Sequence, residues 1–431
     1  MSVEYDFDVI IVGGGVAGTV CAYLLAKEGH EVLLIERGSE VGAKNLSGGV
    51  FYCQVMNQIF PDFIEKAPVE RKITKNILSF LNPTSAVNVE YWDQRLAEPV
   101  NAVSVLRAKL DPWLAEQAEA AGATIMPGMK VDELVREDGK FCGVRAGEDT
   151  VYGKVIVAAD GVNSFLAQYA GIRPQEPLAH LGVGVKSVIQ LGEETVKERF
   201  NLDPGEGAAY QMVGDCTQGV AGGGFLYTNH DSVSIGIVAV LDDLKKKQLS
   251  SSDLHDHFLQ HPFIEPFLRG GKLLEYGCHL VAEGGKTMQH SLVHDGLILI
   301  GDAAGFTLNT GFTIRGMDLA AGSAQAAASA IDMALKAENY SASSLNKYLE
   351  NYQASYVGKD METFAKAPQF LHNQELYGQV GQLAADALHG VYNLDTTPRQ
   401  RLLPVARAAL KKSPLSMRRL VKLGLQAVRS I

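Results

Sequence analysis

The chain opens on an apolar run, residues 9–12, that passes directly into Gly13-x-Gly15-x-x-Gly18 and then into a helical repeat through Ala22, Leu24, Leu25 and Ala26 that stops at Gly29. An apolar run without polar alternation is the pattern of a strand buried on both faces of a parallel sheet. A second such run, 32–35, ends at Glu36. Two more follow far downstream: 154–159 ends in Asp160-Gly161, and 296–300 ends in Gly301-Asp302. Between them, 182–191, 208–213 and 225–241 read as long strands separated by turn signals, which predicts a mostly antiparallel sheet. Residues 84–105 also read as strands, and 123–144 as a small β-unit turning at 137–140. Helices are expected from Asp111, with Pro112 at the first helical position and Gly122 as the stop, over 316–337, and over 416–429. The predicted fold is therefore α/β: a doubly wound, Rossmann-like domain split in sequence, an inserted mainly antiparallel β-sheet domain, and a helical C-terminal region. The expected boundaries are 1–80, 101–170 and 285–337 for the first, 81–100 and 171–284 for the second, and 338–431 for the third.

The first strand–turn–helix–strand unit carries the dinucleotide fingerprint in the context that it requires. Gly13 permits the tight turn. Gly15 leaves room for a pyrophosphate beside the backbone, and Gly18 lets the helix pack on the strands. The helix that begins at Val16 and Ala17 offers unpaired N–H groups and a partial positive charge to phosphates. Glu36, followed by Arg37, stands where a carboxylate holds the ribose hydroxyls of an adenosine. Asp160 and Gly161 end a strand at the edge of the same crevice, and Asp302 after Gly301 is placed to bind a ribityl hydroxyl. Arg107 can reach a phosphate or the ribityl chain, although a lone arginine is more often a solvated charge. The small, polar loop of residues 42–49, with Lys44, Ser47 and Gly48, can lie against a flat ligand or be an ordinary surface loop. Gly222-Gly223-Gly224-Phe225-Leu226-Tyr227 opens no helix, so it is not a second dinucleotide site. Its glycines mark either a close backbone approach to a flat ligand or a β-bulge.

Composition narrows the class. Apolar residues make up 46% and charged residues 20%, an ordinary globular balance. No apolar run reaches the roughly 18 residues of a membrane-spanning helix. Cys21, Cys53, Cys142, Cys216 and Cys278 are scattered and odd in number. That spacing argues for a reducing cytoplasm, and against a disulfide framework or an iron–sulfur cluster held by this chain alone. No metal site and no nucleic-acid partner are expected. The net charge is −10, yet residues 398–431 hold nine Lys/Arg and no acid, leaving 30 basic against 49 acidic residues in the rest. A basic tail on an acidic body predicts an interaction surface.

Taken together, the Gly13 fingerprint with Glu36, the Asp160-Gly161 strand and the Gly301-Asp302 strand resemble flavoproteins of the glutathione-reductase-2 class. Residues 42–49, 222–229 and 311–318 narrow the resemblance to FixC-type electron transfer flavoprotein–quinone oxidoreductases. That resemblance runs from the N-terminus to at least Phe370. It implies non-covalent FAD, with Gly13, Gly15, Gly18 and Glu36 on the adenosine diphosphate half, Arg107 and Asp160 flanking the cofactor, and Asp302 on the ribityl chain. It also implies that the loops 42–49 and 311–316, the latter with Gly311, Phe312 and Thr313, flank the isoalloxazine. Full-length relatives add a cluster-bearing ferredoxin-like domain. This sequence has no matching cysteine set, which fits the arrangement with a separate small ferredoxin-like iron–sulfur protein.

The implied partners are a heterodimeric electron transfer flavoprotein, that ferredoxin-like protein and a membrane quinone. The expected location is cytoplasmic, peripheral on the inner face of the cytoplasmic membrane. Gly223, Gly224 and Phe225 are candidate quinone contacts. Tyr227 is either a phenol that donates to the quinone or a core tyrosine. Two other readings compete: a flavin-dependent reductase or hydroxylase of an isoprenoid or aromatic substrate, and a non-catalytic FAD-binding subunit. In the predicted helix over 416–429, Met417, Leu420, Val421, Leu425 and Val428 fall toward one side, and Arg418, Arg419, Lys422 and Arg429 lie on the other. Such a helix can lie on an anionic membrane, dock on the acidic body or hold a partner.

Overall fold

The computed structural model describes residues 4–43, 45 and 49–431. Phe7–Val12 is the hinge of the nucleotide-binding layer. It pairs in parallel with Val32–Ile35 on one side and with Asp149–Ala158 on the other. Thr124–Met126 extends the sheet beyond Val32–Ile35, and Leu297–Leu299 extends it beyond Asp149–Ala158. All five are parallel, and their central residues are apolar because both faces of the sheet are covered. The chain leaves the first strand toward one edge and returns later to the other, so the carboxyl ends of Phe7–Val12 and Asp149–Ala158 face a topological switch point, where open α/β sheets bind ligands. The fingerprint turn and Asp160 sit at those two ends.

Helix Val16–Lys27 is buried along most of its length against this sheet and against helix Met317–Lys336. The long helix buries Ala320, Ala324, Ala327 and Ala330, small side chains that let two helices approach closely. Its bounds follow the expectation from sequence, with Gly316 as its N-cap and Ala337 as its C-cap.

The second layer is a nine-stranded sheet in the order Lys272–Ala282, Leu181–Gln190, Ser232–Val240, Gly222–Thr228, Glu206–Gly214, Val69–Asn82, Ala102–Val105 and Gly49–Tyr52, with Ser85–Trp92 also on Val69–Asn82. Every pairing in it is antiparallel except Glu206–Gly214 with Val69–Asn82. Its far face packs on helices Glu193–Phe200 and Ser251–Leu259 around Phe258, Ile235 and Ile237.

Several expectations are corrected. Asp111 does not cap a helix: the helix is Arg107–Ala120, with Leu106 at its N-cap and Pro112 inside. The single strand expected over 225–241 is a hairpin, Gly222–Thr228 and Ser232–Val240, closed at Asn229, where Asn229 N–H donates to Ser232 O at 2.8 Å. Thr124–Met126 joins the parallel sheet instead of the small β-unit, whose strands Glu133–Glu137 and Lys140–Ala146 do turn where expected. Strands Val69–Asn82 and Lys272–Ala282 carry no clear sequence pattern. In Val69–Asn82 the reason is visible: Arg71 and Lys75 are buried charges whose N–H groups donate to backbone carbonyls. Arg71 reaches Asn229 O, Glu206 O and His230 O, and Lys75 reaches Phe200 O and Asn201 O. Satisfied charges of this kind stand in for the apolar residues that periodicity looks for.

Candidate functional site

Each of the three fingerprint glycines is required for a different steric reason. Gly13 has φ +110°, and a Cβ there would lie 2.3 Å from Ala159 O. A Cβ on Gly18 would lie 1.9 Å from Gly13 O, so any larger residue would push the helix off the turn. A Cβ on Gly15 would meet nothing nearer than an Arg107 guanidinium nitrogen at 3.8 Å. Gly15 therefore faces open space, a cradle shaped for a group that lies against the backbone. Val16 and Ala17 at the helix start line the same cavity. Glu36 is tied to the turn by both oxygens, accepting from Gly14 N–H at 2.8 Å and Gly38 N–H at 2.6 Å. Arg37 beside it is exposed at the cavity mouth.

This cavity, about 730 Å³, runs from the fingerprint across to the nine-stranded sheet. Arg107 stands midway. Its guanidinium donates to both oxygens of Asp111, at 2.6 and 2.7 Å, and Asn45 binds the same carboxylate. Burial would lower the Arg107 pKa, but the Asp111 carboxylate outweighs it and keeps the guanidinium charged. Asp111 is thus the residue that sequence reasoning misplaced: the Arg–Asp spacing of four along one helix is the signal that identifies it as an orienting group.

Asp160 and Asp302 converge from the two neighbouring strands. Burial raises the Asp160 carboxyl to about 6; one oxygen accepts from Leu166 N–H at 3.0 Å and the other has no partner among the described residues. Burial also raises Asp302, against the pull of Arg107, His279 and Arg173. Gly161 and Gly301 both have positive φ, and a Cβ on Gly301 would lie 2.8 Å from the Ala17 side chain, so the Asp302 loop rides directly on the fingerprint helix. The hairpin Leu308–Asn309/Ile314–Arg315 carries Gly311 into the lining. Phe312 is 59% exposed, and neither it nor Thr313 is among the lining residues. Lys44, Ser47 and Gly48 lie outside the described residues.

On the opposite wall, Gly222, Gly223 and Gly224 run in unbroken antiparallel register with Ala239, Val238 and Ile237, and Gly224 also pairs with Met212, with no β-bulge in either pairing. Packing requires them as well: added Cβ atoms would lie 2.0 Å from Val238 O, 2.6 Å from Met212 O and 2.9 Å from the Phe258 ring. Phe225 and Tyr227 line the cavity as a stacked pair, ring centroids 5.1 Å apart. Burial pushes the Tyr227 phenol well above its ordinary range.

Sequence reasoning missed four further groups. Lys186 is buried in the sheet beside Glu275, and burial brings its pKa down to about 8. His279 lines the cavity near Asp302. Arg315 binds Asp318 and Asp360, and lies against the Tyr52 and Tyr356 rings. Glu283 is a carboxyl in the wall. Only Arg315 lay in a motif that had been singled out; Lys186 and His279 sit in strands, and Glu283 directly after one, where a lone polar residue looks like an outward-facing one.

These residues fit FAD. The Gly15 cradle and the helix N-terminus suit a pyrophosphate, and Glu36 suits a ribose. Arg107 and the partnerless Asp160 oxygen provide one donor and one acceptor for its hydroxyl-bearing chain. Among the described residues no group of His, Cys, Asp and Glu is arranged to hold a metal.

Comparisons with known proteins agree. A family profile described as an FAD binding domain matches residues 6–195, and one described as "ETF-QO, ubiquinone-binding" matches residues 181–281. The probable electron transfer flavoprotein-quinone oxidoreductase YdiS of Escherichia coli is 45% identical over 94% of this chain and 95% of its own. Protein FixC of Salmonella typhi is 42% identical over 91% and 92%. Among solved structures, a geranylgeranyl bacteriochlorophyll reductase-like protein of Thermoplasma acidophilum has the same fold at 20% identity, with TM-score 0.67 over 97% of this chain and 99% of that one. The myxobacterial halogenase CndH has it at 19% identity, with TM-score 0.65 over 99% and 91%. Near-complete coverage at above 40% identity, together with an FAD site built as described, places the chain: it is an FAD-dependent oxidoreductase that belongs to the FixC-type electron transfer flavoprotein–quinone oxidoreductase family.

Proposed function

We propose that this protein carries electrons from a heterodimeric electron transfer flavoprotein to a membrane quinone, directly or through a small ferredoxin-like iron–sulfur protein. The observation that carries the reading is the single cavity lined on one side by the fingerprint and on the other by Gly222–Thr228. FAD supplies the redox chemistry. The chain's own residues do the rest. Gly13, Gly15 and Gly18 admit the diphosphate, Glu36 and Arg37 serve the adenosine end, and Arg107, held by Asp111, neutralises phosphate or ribityl oxygen. Asp160, Gly161 and Asp302 after Gly301 hold the chain between the two ends. The loop that carries Gly311 into the lining borders the ring. Gly223, Gly224 and Phe225 form the quinone wall, where Tyr227 donates a hydrogen bond to a quinone oxygen.

A quinone dissolved in a bilayer calls for a protein that reaches the bilayer surface, and the C-terminal helix Met417–Ser430 supports that role. It docks through buried Leu423 and through Arg419, which binds Glu375 and Asn373. Arg419 therefore belongs to the docking face and not to the free basic side. Met417, Val421, Leu425 and Val428 remain more than half exposed as one stripe, and helical spacing sets Arg418, Lys422 and Arg429 along its border. An exposed apolar stripe edged by cations is the pattern of a helix lying in an anionic interface. No helix among the described residues is long and apolar enough to cross a membrane. The location that follows is the inner face of the cytoplasmic membrane.

The test is anaerobic mixing. Protein reduced at its flavin should be reoxidised by a short-chain ubiquinone, and oxidised protein should not be bleached promptly by NADH or NADPH. Prompt bleaching by a nicotinamide without quinone reactivity favours a reductase or hydroxylase instead.

A further inference from the structure

Quinol formation needs two protons as well as two electrons, and a buried site must contain a group that delivers protons. We propose that Glu283 is the proton donor of the quinone site, an inference that rests on the electron-transfer reading above. Glu283 directly follows the edge strand Lys272–Ala282, and its N–H donates to His180 O at 2.8 Å, which fixes the backbone. Its side chain leans over Gly182: a Cβ on that glycine would lie 3.3 Å from Glu283 Cγ and 3.1 Å from Val238. Gly182 pairs with Val240, and Gly223 pairs with Val238, so the carboxyl stands over the same stretch of sheet as the glycine wall.

Its hydrogen bonding leaves one oxygen for a proton. Asn309 Oδ1 accepts from Gly311 N–H at 2.8 Å, which orients the amide. The Asn309 NH₂ group then donates to Glu283 Oε2 at 3.4 Å. Oε1 has no protein partner among the described residues, and no ion pair reaches the carboxyl. The groups facing it are the Tyr377 phenol, whose O–H donates to Leu371 O, the Asn309 amide, and the His180 ring, which lies against Gly284 and binds Glu176. Arg107, Asp302, His279 and Lys186 interact with one another as a separate set in the cavity lining. With burial opposed only by the long bond from Asn309, the Glu283 carboxyl is raised to about 7. A carboxylic acid poised there holds its proton at neutral pH and can still release it.

The other candidates in the wall do not meet that requirement. The Tyr227 phenol is pushed up by burial and donates hydrogen bonds without losing its proton. Lys186 is engaged by Glu275. The step balances: the quinone takes two electrons and one proton from the reduced flavin and its second proton from Glu283, which is left as a carboxylate and reprotonates from solvent.

The experiment uses the FAD-loaded protein, reduced anaerobically with dithionite and mixed with ubiquinone-1, with flavin reoxidation followed between about pH 6 and 9. The wild-type rate should fall as pH passes about 7. Glu283→Gln should be slower by roughly 100-fold near pH 6 and should lose the pH dependence, while Glu283→Asp should keep a falling profile. A Glu283→Gln protein with wild-type FAD content, wild-type rate and an unchanged profile overturns the assignment. If that variant fails to hold FAD, the wild-type profile decides, and a flat profile overturns it. Wild-type protein that quinone does not oxidise at any pH overturns the electron-transfer reading itself, and with it this assignment.

Discussion

Gly15 and Gly18 are both glycines of one motif, yet they fail for opposite reasons when substituted. Gly15→Val fills an open cradle, so the protein should fold and lose FAD affinity by at least about tenfold, or about 1.4 kcal/mol. Gly18→Ala collides with Gly13 O and should damage the turn itself. Flavin content per folded protein, measured for both, separates the two effects. Full occupancy in folded Gly15→Val would remove that residue from the pyrophosphate site. Arg107→Ala would leave Asp111, which is fully buried, without its guanidinium partner at a cost of about 3 kcal/mol, readable as a lowered denaturation midpoint. Asp160 adds a pH effect. Burial holds its carboxyl at about 6, above the roughly 3.9 of an unfolded chain. A raised carboxyl contributes stability that is full below the unfolded value and is lost as pH rises through the folded one. Asp160→Asn should therefore remove this loss, so that the unfolding temperature of the FAD-stripped variant gains on that of the wild type between about pH 4 and 6. The same slope in both proteins would contradict the assignment.

Elements with one physical role were legible in the sequence, and elements with two were not. The parallel strands carry unbroken apolar runs because both faces are covered there, and Gly316 with the alanines after it marks a helix that must pack closely. Val69–Asn82 was hidden because Arg71 and Lys75 are buried in it against carbonyls, and Lys272–Ala282 because it is an edge strand with exposed Leu273, Leu274 and Tyr276. The C-terminal helix was placed correctly, but its apolar residues split between a docked face and a free one, a division that depends on what the rest of the chain offers it. Two measurements follow. Leu423→Ala should loosen the docked face by about 2–3 kcal/mol and increase amide exchange over Met417–Ser430. Truncation after Lys412 should abolish flotation with anionic liposomes at low salt while leaving flavin content unchanged. Equal flotation of both chains, or of neither, would make this helix a partner-docking surface instead.

At the scale of the whole molecule, the two sheets divide the work. The parallel sheet and its turns form the FAD cradle, which the motifs announced because a diphosphate demands glycines at fixed positions. The nine-stranded sheet supplies the opposite wall, and there only the glycine run and its aromatic pair were readable. Lys186 comes from one strand, and His279 and Glu283 from the neighbouring strand some ninety residues later and from the residue that follows it, so no local spacing could reveal all three together. On the proposed function, electrons enter from an electron transfer flavoprotein and leave to quinone through this cavity. The most direct measurement supplies reduced heterodimeric electron transfer flavoprotein as the sole donor, with and without the small ferredoxin-like protein, and follows quinol formation with anionic liposomes present. Quinol formation should require this chain and its FAD and should stop in Gly15→Val. Quinol formation at the same rate without this chain, or none with it while NADH or NADPH alone reduces its flavin rapidly, would contradict the claim.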